Sequence, residues 1–190
     1  MTASPTLAAF ANPVLDAQAA FRALLAAMSR PGTVRALAAL PESPAGLSPA
    51  AAALLLTLVD SETPLALAGG TAARDWVSFH CGAKLVAPQK ARFVLDPGCR
   101  LLDLDPGTEE EPEQGATLLL EVDALVGGSG WHLTGPGVRG EARLCVVGAP
   151  PDFLADWAAN HARFPRGVDV ILCAGSRIAA LPRSLKIARE

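Results

Sequence analysis

The stretch FPRGVDVILCAGSRIAALPRSLK, residues 164–186, carries the signals that decide the fold. Phe164-Pro165-Arg166-Gly167 reads as a turn, because proline fixes φ and glycine reaches backbone angles that a Cβ resists. Residues 168–173 form an apolar, β-branched run interrupted only by Asp169, which predicts a buried strand. Ala174-Gly175-Ser176-Arg177 can reverse the chain, so that 178–181 pairs back as the second strand of a hairpin. Pro182-Arg183-Ser184 ends that hairpin with a cation held just beyond a rigid residue. A carboxylate inside an apolar strand is costly unless it is partnered. Asp169 therefore needs an ion pair, and Arg183 is the candidate partner.

Around this stretch, the 190 residues are 51% hydrophobic and 18% charged, the balance of one globular domain long enough to bury a core. Alanine supplies much of the apolar share, so a mean hydropathy of +0.31 does not signal a membrane protein. The longest apolar run, 50–59, falls well short of the roughly 20 residues that span a bilayer. No basic region precedes an apolar core at the N-terminus, so no secretion signal is expected and the chain reads as cytoplasmic. A net charge of −3 argues against nucleic acid held by bulk charge. It leaves room for a small anion held by a few placed cations. Cys81, Cys99, Cys145 and Cys173 form no CxxC pair, and His80, His132 and His161 show no HExxH or HxH spacing. No metal site is expected, and the cysteines read as ordinary small residues.

The remaining segments supply helices and further strands. Residues 1–11 read as a loose arm. Asn12-Pro13 opens a helix as N-cap and N1, with Asp16 in the first turn. Phe21, Leu24, Leu25 and Met28 recur at helical spacing as its expected apolar face, and Ser29-Arg30-Pro31-Gly32 stops it. After the Pro/Ser-rich loop 41–49, Ser48-Pro49 repeats the start signal for an Ala/Leu helix to about 59, apolar nearly all round and therefore buried. Strands are predicted over 33–37, 65–68, 84–87, 91–95, 117–122, 131–134 and 144–147. Further helices are predicted over 71–80 and over 151–163, the latter burying Phe153, Leu154 and Trp157. The mixture places the chain in the α/β or α+β class, as a single domain over 1–190.

Residues 96–114 hold Pro97, Pro106 and Pro112 with Asp103, Asp105, Glu109, Glu110, Glu111 and Glu113, and read as an exposed acidic loop or variable insertion. Their spacing does not match an EF-hand. Gly127-Gly128-Ser129-Gly130 lacks the lysine of a phosphate loop and opens no helix, so it reads as a hairpin turn. Gly135-Pro136-Gly137 follows a strand. A tight turn is its plain reading, and close approach of its N–H groups to a ligand or partner is the functional one. Arg30 favours the dipole at a helix C-terminus and also offers an anion contact on a rigid turn. His80 pairs with a helix end in the same way and is a candidate base or ligand contact. Ser29 lacks the GxSxG frame of a nucleophile. The candidate ligand- or partner-binding residues are thus Arg30, His80, Gly135, Gly137 and Arg183. These residues by themselves name no reaction.

Taken in order, seven segments resemble one family: FRALLAAMSRPG (21–32), LLLTLVD (54–60), TPL (63–65), FH (79–80), GATL (115–118), LTGPGV (133–138), and FPRGVD through LPR (164–183). Their order and spacing, from about 12 to 187, resemble the PhnH family, a subunit family of the bacterial carbon–phosphorus lyase system for phosphonate breakdown. Two positions depart from its pattern. Ser184-Leu185 stand where the family often has two threonines, and Lys84 stands where a proline is expected.

The resemblance implies an α/β fold, a mixed sheet with flanking helices, similar to the large domain of pyridoxal-phosphate-dependent transferases but without that cofactor. Lys84, Lys90 and Lys186 sit in no Schiff-base frame. It also implies no cofactor in this chain, the iron–sulfur cluster of bond cleavage belonging to another subunit. A homodimer is expected in isolation, and the G, I and J subunits are the expected partners in the assembly. That assembly transfers a ribose triphosphate from ATP onto a phosphonate, displacing adenine, before the carbon–phosphorus bond is cut. The implied role is a non-catalytic or co-catalytic subunit, with Arg30, His80 and Arg183 as candidates for contact with an anionic phosphonate or nucleotide. Two other readings stay open on the residues alone: a stand-alone enzyme acting on a phosphate ester, and a purely structural adaptor.

Overall fold

The computed structural model describes residues 9–37 and 43–189, so the expected arm 1–11 and loop 41–49 fall partly outside the described residues. Helix α1 (Pro13–Ser29) starts on Asn12, whose side-chain oxygen accepts the Leu15 N–H at 3.2 Å. Helix α2 (Pro49–Leu58) starts in the same way on Ser48, which accepts from the Ala51 N–H at 3.2 Å. Helix α3 (Thr71–Cys81) closes on Gly82 in left-handed geometry, and α4 (Phe153–His161) precedes the stretch 164–186.

The large sheet has the order β1 (Arg35–Ala36), β9 (Arg177–Leu181), β8 (Asp169–Ala174), β5 (Thr117–Glu121), β4 (Phe93–Leu95), β2 (Pro64–Leu67), β3 (Lys84–Leu85). Strands β3, β2, β4, β5 and β8 are parallel; β9 runs antiparallel to β8, and β1 antiparallel to β9. A second sheet, wholly antiparallel, has β6 (Ala124–Thr134) between β10 (Lys186–Ala188) and β7 (Ala142–Val147). The α/β class and the mixed sheet with flanking helices are as expected. The separate small sheet is the addition.

Side chains alternate across a strand, and that alternation divides the core in two. Leu65, Leu67, Leu95, Leu119, Ile171 and Ile178 join the cluster built with α1, α2 and α3. Ala66, Val94, Leu118, Leu120, Val170 and Leu181 join the cluster built with the small sheet and α4. The large sheet is therefore a middle layer, with helices on one face and the small sheet plus α4 on the other.

Parallel neighbours cannot be joined by a hairpin and need a long crossover, which explains two segments that were obscure in the sequence. Residues 96–116 are the crossover from β4 to β5. They carry 3₁₀ turns at Leu101–Asp103 and Pro112–Gln114, and they bury Leu101 and Leu104 while the six carboxylates stay exposed. The exposed acidic loop is as expected, and its residues coat a connection that the parallel sheet requires. Residues 122–168 are the crossover from β5 to β8, and they contain β6, β7 and α4.

Two expectations are corrected. Gly127-Gly128-Ser129-Gly130 is not a hairpin turn but an irregularity inside β6, where Gly127 and Trp131 both oppose Leu144. The reversal into β7 comes later, at Gly135-Pro136-Gly137, where the Val138 N–H donates to the Gly135 carbonyl at 3.1 Å. On α1, the buried residues are Ala20, Leu24 and Ala27, whereas Phe21 is 45% and Leu25 50% exposed. Leu24 and Met28 face the core as expected, with Ala20 and Ala27 beside them, while Phe21 and Leu25 point outward.

Candidate functional site

Hairpin pairing sets Val170 opposite Leu181, so the residues just beyond that pair, Asp169 and Pro182-Arg183, meet at one end of the paired strands. Asp169 Oδ1 accepts the backbone N–H of Arg183 at 2.7 Å. Arg183 Nε donates to both carboxylate oxygens at 3.2 Å, and Nη2 donates to Oδ2 at 2.6 Å. Nη1 donates to the Pro112 carbonyl of the acidic crossover. The two side chains are only 13% and 18% exposed, so this is a largely desolvated pair of the kind in which geometry decides the energy. The partner inferred for Asp169 from the sequence is the one it has.

Helix α4 grips the same stretch. Asn160, fully buried, donates from Nδ2 to the Val168 carbonyl at 2.9 Å and accepts the Val168 N–H at 2.8 Å. The Trp157 indole N–H donates to the Leu185 carbonyl at 2.9 Å. His161 Nδ1 lies 3.2 Å from the Arg183 carbonyl, and since a carbonyl only accepts, that nitrogen carries the proton. Below the guanidinium, the Gly167 N–H donates to the Pro106 carbonyl at 2.8 Å. A Cβ on Gly115 would stand 2.5 Å from the Gly167 carbonyl oxygen and 2.8 Å from Arg183 Nη1, so only glycine fits there. Arg183 thus ties β8, the acidic crossover and the turn after β9 into one unit.

Three of the other candidates adjoin that unit. Gly137 sits at φ +82°, and a Cβ there would meet the Ser29 carbonyl oxygen at 2.5 Å and Pro31 Cδ at 2.9 Å. The turn at 135–137 is therefore seated directly against the turn that carries Arg30. A Cβ on Gly135 would lie 3.2 Å from the Ser184 carbonyl, one residue past Arg183. Arg30 itself is the exposed C-cap of α1, and its carbonyl accepts from the Thr33 hydroxyl at 2.8 Å. The structure brings Arg30, Gly135, Gly137 and Arg183 into one neighbourhood where three turns converge. His80 is apart from them. It lies in the last turn of α3, its ring 4.9 Å from those of Trp76 and Phe79, on a helix that packs toward the β2–β3 end of the sheet rather than the β9 end.

Beside the converging turns, α4 and the small sheet enclose an open cavity of about 390 Å³ lined by His132, Thr134, Trp157, Ala158, His161 and Lys186, with the rest of β10. Lys186 is paired with Thr134 and Ala188 with His132, so all four share one face of the sheet. His132 Nε2 lies 2.6 Å from Glu141 Oε2, and this hydrogen bond holds the Glu141 carboxyl below its usual range. His132, His161 and Lys186 were missed in the sequence because each lacks a motif partner. They meet only through the β10–β6 pairing and the docking of α4. The one signal available was the two-residue spacing of His132 and Thr134 on a strand.

The match to known proteins covers the whole of this architecture. The family model described as bacterial phosphonate metabolism protein, PhnH, matches residues 8–188. The chain belongs to the PhnH family. It is similar to the alpha-D-ribose 1-methylphosphonate 5-triphosphate synthase subunit PhnH of Rhizobium meliloti (strain 1021), 38% identical over 190 residues that cover 96% of this chain and 95% of that protein. It is also similar to the putative C-P lyase subunit protein HtxG of Stutzerimonas stutzeri, 40% identical over 172 residues covering 90% of this chain and 85% of the relative. In this PhnH-family chain, the segments 115–118, 133–138 and 164–183, which carried the resemblance, are the ones that meet around Arg183.

The described residues of this PhnH-family chain include no group of three His, Cys, Asp or Glu that could hold a metal ion, and no helix long and apolar enough to cross a membrane. Burial pushes the Cys81 thiol up to about 11 and the fully buried Cys173 thiol higher still, so both are poor nucleophiles at neutral pH.

Proposed function

We propose that this chain is the H subunit of an assembly that transfers ribose triphosphate from ATP to a phosphonate, displacing adenine, ahead of carbon–phosphorus bond cleavage. The carrying observation is the full-length likeness to a protein named as a subunit of alpha-D-ribose 1-methylphosphonate 5-triphosphate synthase, with 96% of this chain aligned. On this reading the scaffold is that of the large domain of pyridoxal-phosphate-dependent transferases, used without the cofactor. Cleavage chemistry belongs to the iron–sulfur subunit.

The chain pairs with a second copy in isolation and joins the G, I and J subunits in the assembly. Support for association comes from α1, where Val14 (76% exposed), Phe21 and Leu25 fall on one helical face turned outward. A second copy in the isolated protein would cover that stripe. Within this role Arg183 acts through the turns it holds, while Arg30 is the exposed cation on the converging turns that can meet an anionic ligand or partner.

The test is complementation. A strain lacking its own H subunit should grow on methylphosphonate as sole phosphorus source when given this chain together with matching G, I and J subunits. The purified chain alone should ribosylate no phosphonate. Turnover by the isolated chain would replace the subunit reading with a stand-alone enzyme.

A further inference from the structure

We infer that the cavity between α4 and the small sheet binds a small tetrahedral phosphorus oxyanion carrying a short apolar group, a phosphonate or a phosphate monoester. The oxyanion part rests on the geometry of the cavity alone; the preference for a phosphonate over an ester rests on the proposed function. The polar groups lining the cavity are donors or can become donors, and none of the lining residues carries a carboxylate. Lys186 brings an ammonium with three donors and Thr134 a hydroxyl, and their pairing across β10 and β6 sets the two side by side on one face.

The two histidines are already oriented. His161 has committed Nδ1 to the Arg183 carbonyl, which leaves Nε2. That atom donates to a dianion when the ring is charged, and accepts the P–OH proton of a monoanion when the ring is neutral. His132 has committed Nε2 to Glu141, which leaves Nδ1. Glu141 stands behind the ring at 2.6 Å, while it is not itself among the lining residues. The arrangement matches an anion met by placed donors rather than by bulk charge, as a chain of net charge −3 requires.

The apolar wall comes from Trp157 and Ala158 of α4 and from Ile187 and Ala188 of β10, and the Trp157 N–H is spent on the Leu185 carbonyl. This wall offers contact but no hydrogen bond, which suits an alkyl group. About 390 Å³ lies at the small end of small-molecule sites and leaves ample room for short-chain phosphonates or esters.

The experiment is a titration of the purified full chain with methylphosphonate, methyl phosphate and inorganic phosphate, read by calorimetry and by the histidine ring resonances. Methylphosphonate should shift His132 and His161 in a saturable way and leave His80 unmoved. Inorganic phosphate, lacking the methyl group, should bind about threefold to fourfold more weakly. Lys186→Ala should weaken binding by about tenfold or more; because Lys186 is exposed, the fold should survive, and Lys186→Arg should retain most of the affinity. Thr134→Val, equal in shape, should give a smaller loss. Tighter binding of methyl phosphate than of methylphosphonate upholds the oxyanion site and assigns it to the ester. No saturable shift with any of the three, or binding indifferent to Lys186→Ala, overturns the inference. Inorganic phosphate binding as tightly as methylphosphonate overturns the apolar part. A chain that complements the deletion strain but binds none of the three keeps the proposed function and loses this site; a chain that binds without complementing does the reverse.

Discussion

Removing the guanidinium of Arg183 is the most direct perturbation of the converging turns. Arg183→Ala strips Asp169 of its contacts with Nε and Nη2 and leaves it only the backbone N–H at 2.7 Å. It also leaves the Pro112 carbonyl without that donor. Both charged side chains are less than a fifth exposed, so solvent screens the loss only weakly, and the cost is that of breaking a buried pair, about 3–5 kcal/mol. Against a total of about 5–15 kcal/mol this is a large share. In a chain of 190 residues it corresponds to a fall in Tm of roughly 6–20 °C. Arg183→Lys should recover only part of it, because one ammonium lacks the planar fork that reaches Asp169 and the Pro112 carbonyl together. Replacing both partners, Asp169→Leu with Arg183→Met, should recover more than Arg183→Lys does but not everything, since the Arg183 N–H still loses its acceptor. Urea denaturation with linear extrapolation reads these differences, with the slope checking that the unfolded state is unchanged. An Arg183→Ala protein within about 1 kcal/mol of the parent at equal slope would place the pair with ordinary surface salt bridges and would refute the reasoning.

Other consequences are as direct. Gly115→Ala should lower stability by about 1–3 kcal/mol, because its Cβ would meet a backbone carbonyl at 2.5 Å; thermal melting reads it. On the proposed pairing of two copies through α1, Phe21→Ser with Leu25→Ser should leave the isolated chain a monomer of nearly unchanged secondary structure where the parent is a dimer, as seen by sedimentation and circular dichroism; a dimer that persists removes α1 as the contact. Mild thiol alkylation of the native protein should reach Cys145 and Cys99, which are partly exposed, well before the buried Cys81 and Cys173, with mass spectrometry giving the order. The carboxyl of Glu141 is held below its ordinary value of 4.5 by His132. Its contribution to stability is therefore present above that value and fades as pH falls through the lower folded value. Glu141→Gln should flatten that part of the acid limb, and an unaltered limb would mean that the contact is not kept in solution.

The legible parts of the sequence were those decided by neighbours in the chain. Caps at Asn12 and Ser48, the hairpin around Gly175 and the buried run 168–173 are local choices, and all appear where expected. The Asp169–Arg183 pair was legible for a stronger reason. A carboxylate in an apolar strand restricts its surroundings to a few solutions, and hairpin register brings one arginine to it. What stayed hidden depended on distant pairing. Glycines 127, 128 and 130 look like a turn until β7 is laid beside them, when they become a bulge. The acidic residues of 96–114 read only as an exposed loop until β4 and β5 prove parallel and give that loop its place as a crossover. On α1, Leu24 and Met28 face inward as expected, but placing Phe21 and Leu25 with them reversed a rule that holds in one direction only, since folded surfaces also carry apolar side chains.

The same distinction explains why the cavity and the buried pair belong to one device although only the pair was readable. Strand β10 begins at Lys186, three residues after Arg183, and pairs with β6 in the small sheet, while β8 and β9 remain in the large one. The turn between them is held by the Arg183–Asp169 pair and, from α4, by the Trp157 N–H on the Leu185 carbonyl and by His161 on the Arg183 carbonyl. Lys186 and His161 therefore take their positions from the segment that Arg183 anchors. Loosening that anchor should move both ligand-facing groups together. A mild variant such as Arg183→Lys, studied well below its Tm, should weaken methylphosphonate binding while Lys186 is still present, and adding Lys186→Ala should then cost less than it does in the parent. Fully additive losses would separate the pair from the cavity and leave Arg183 a purely structural residue.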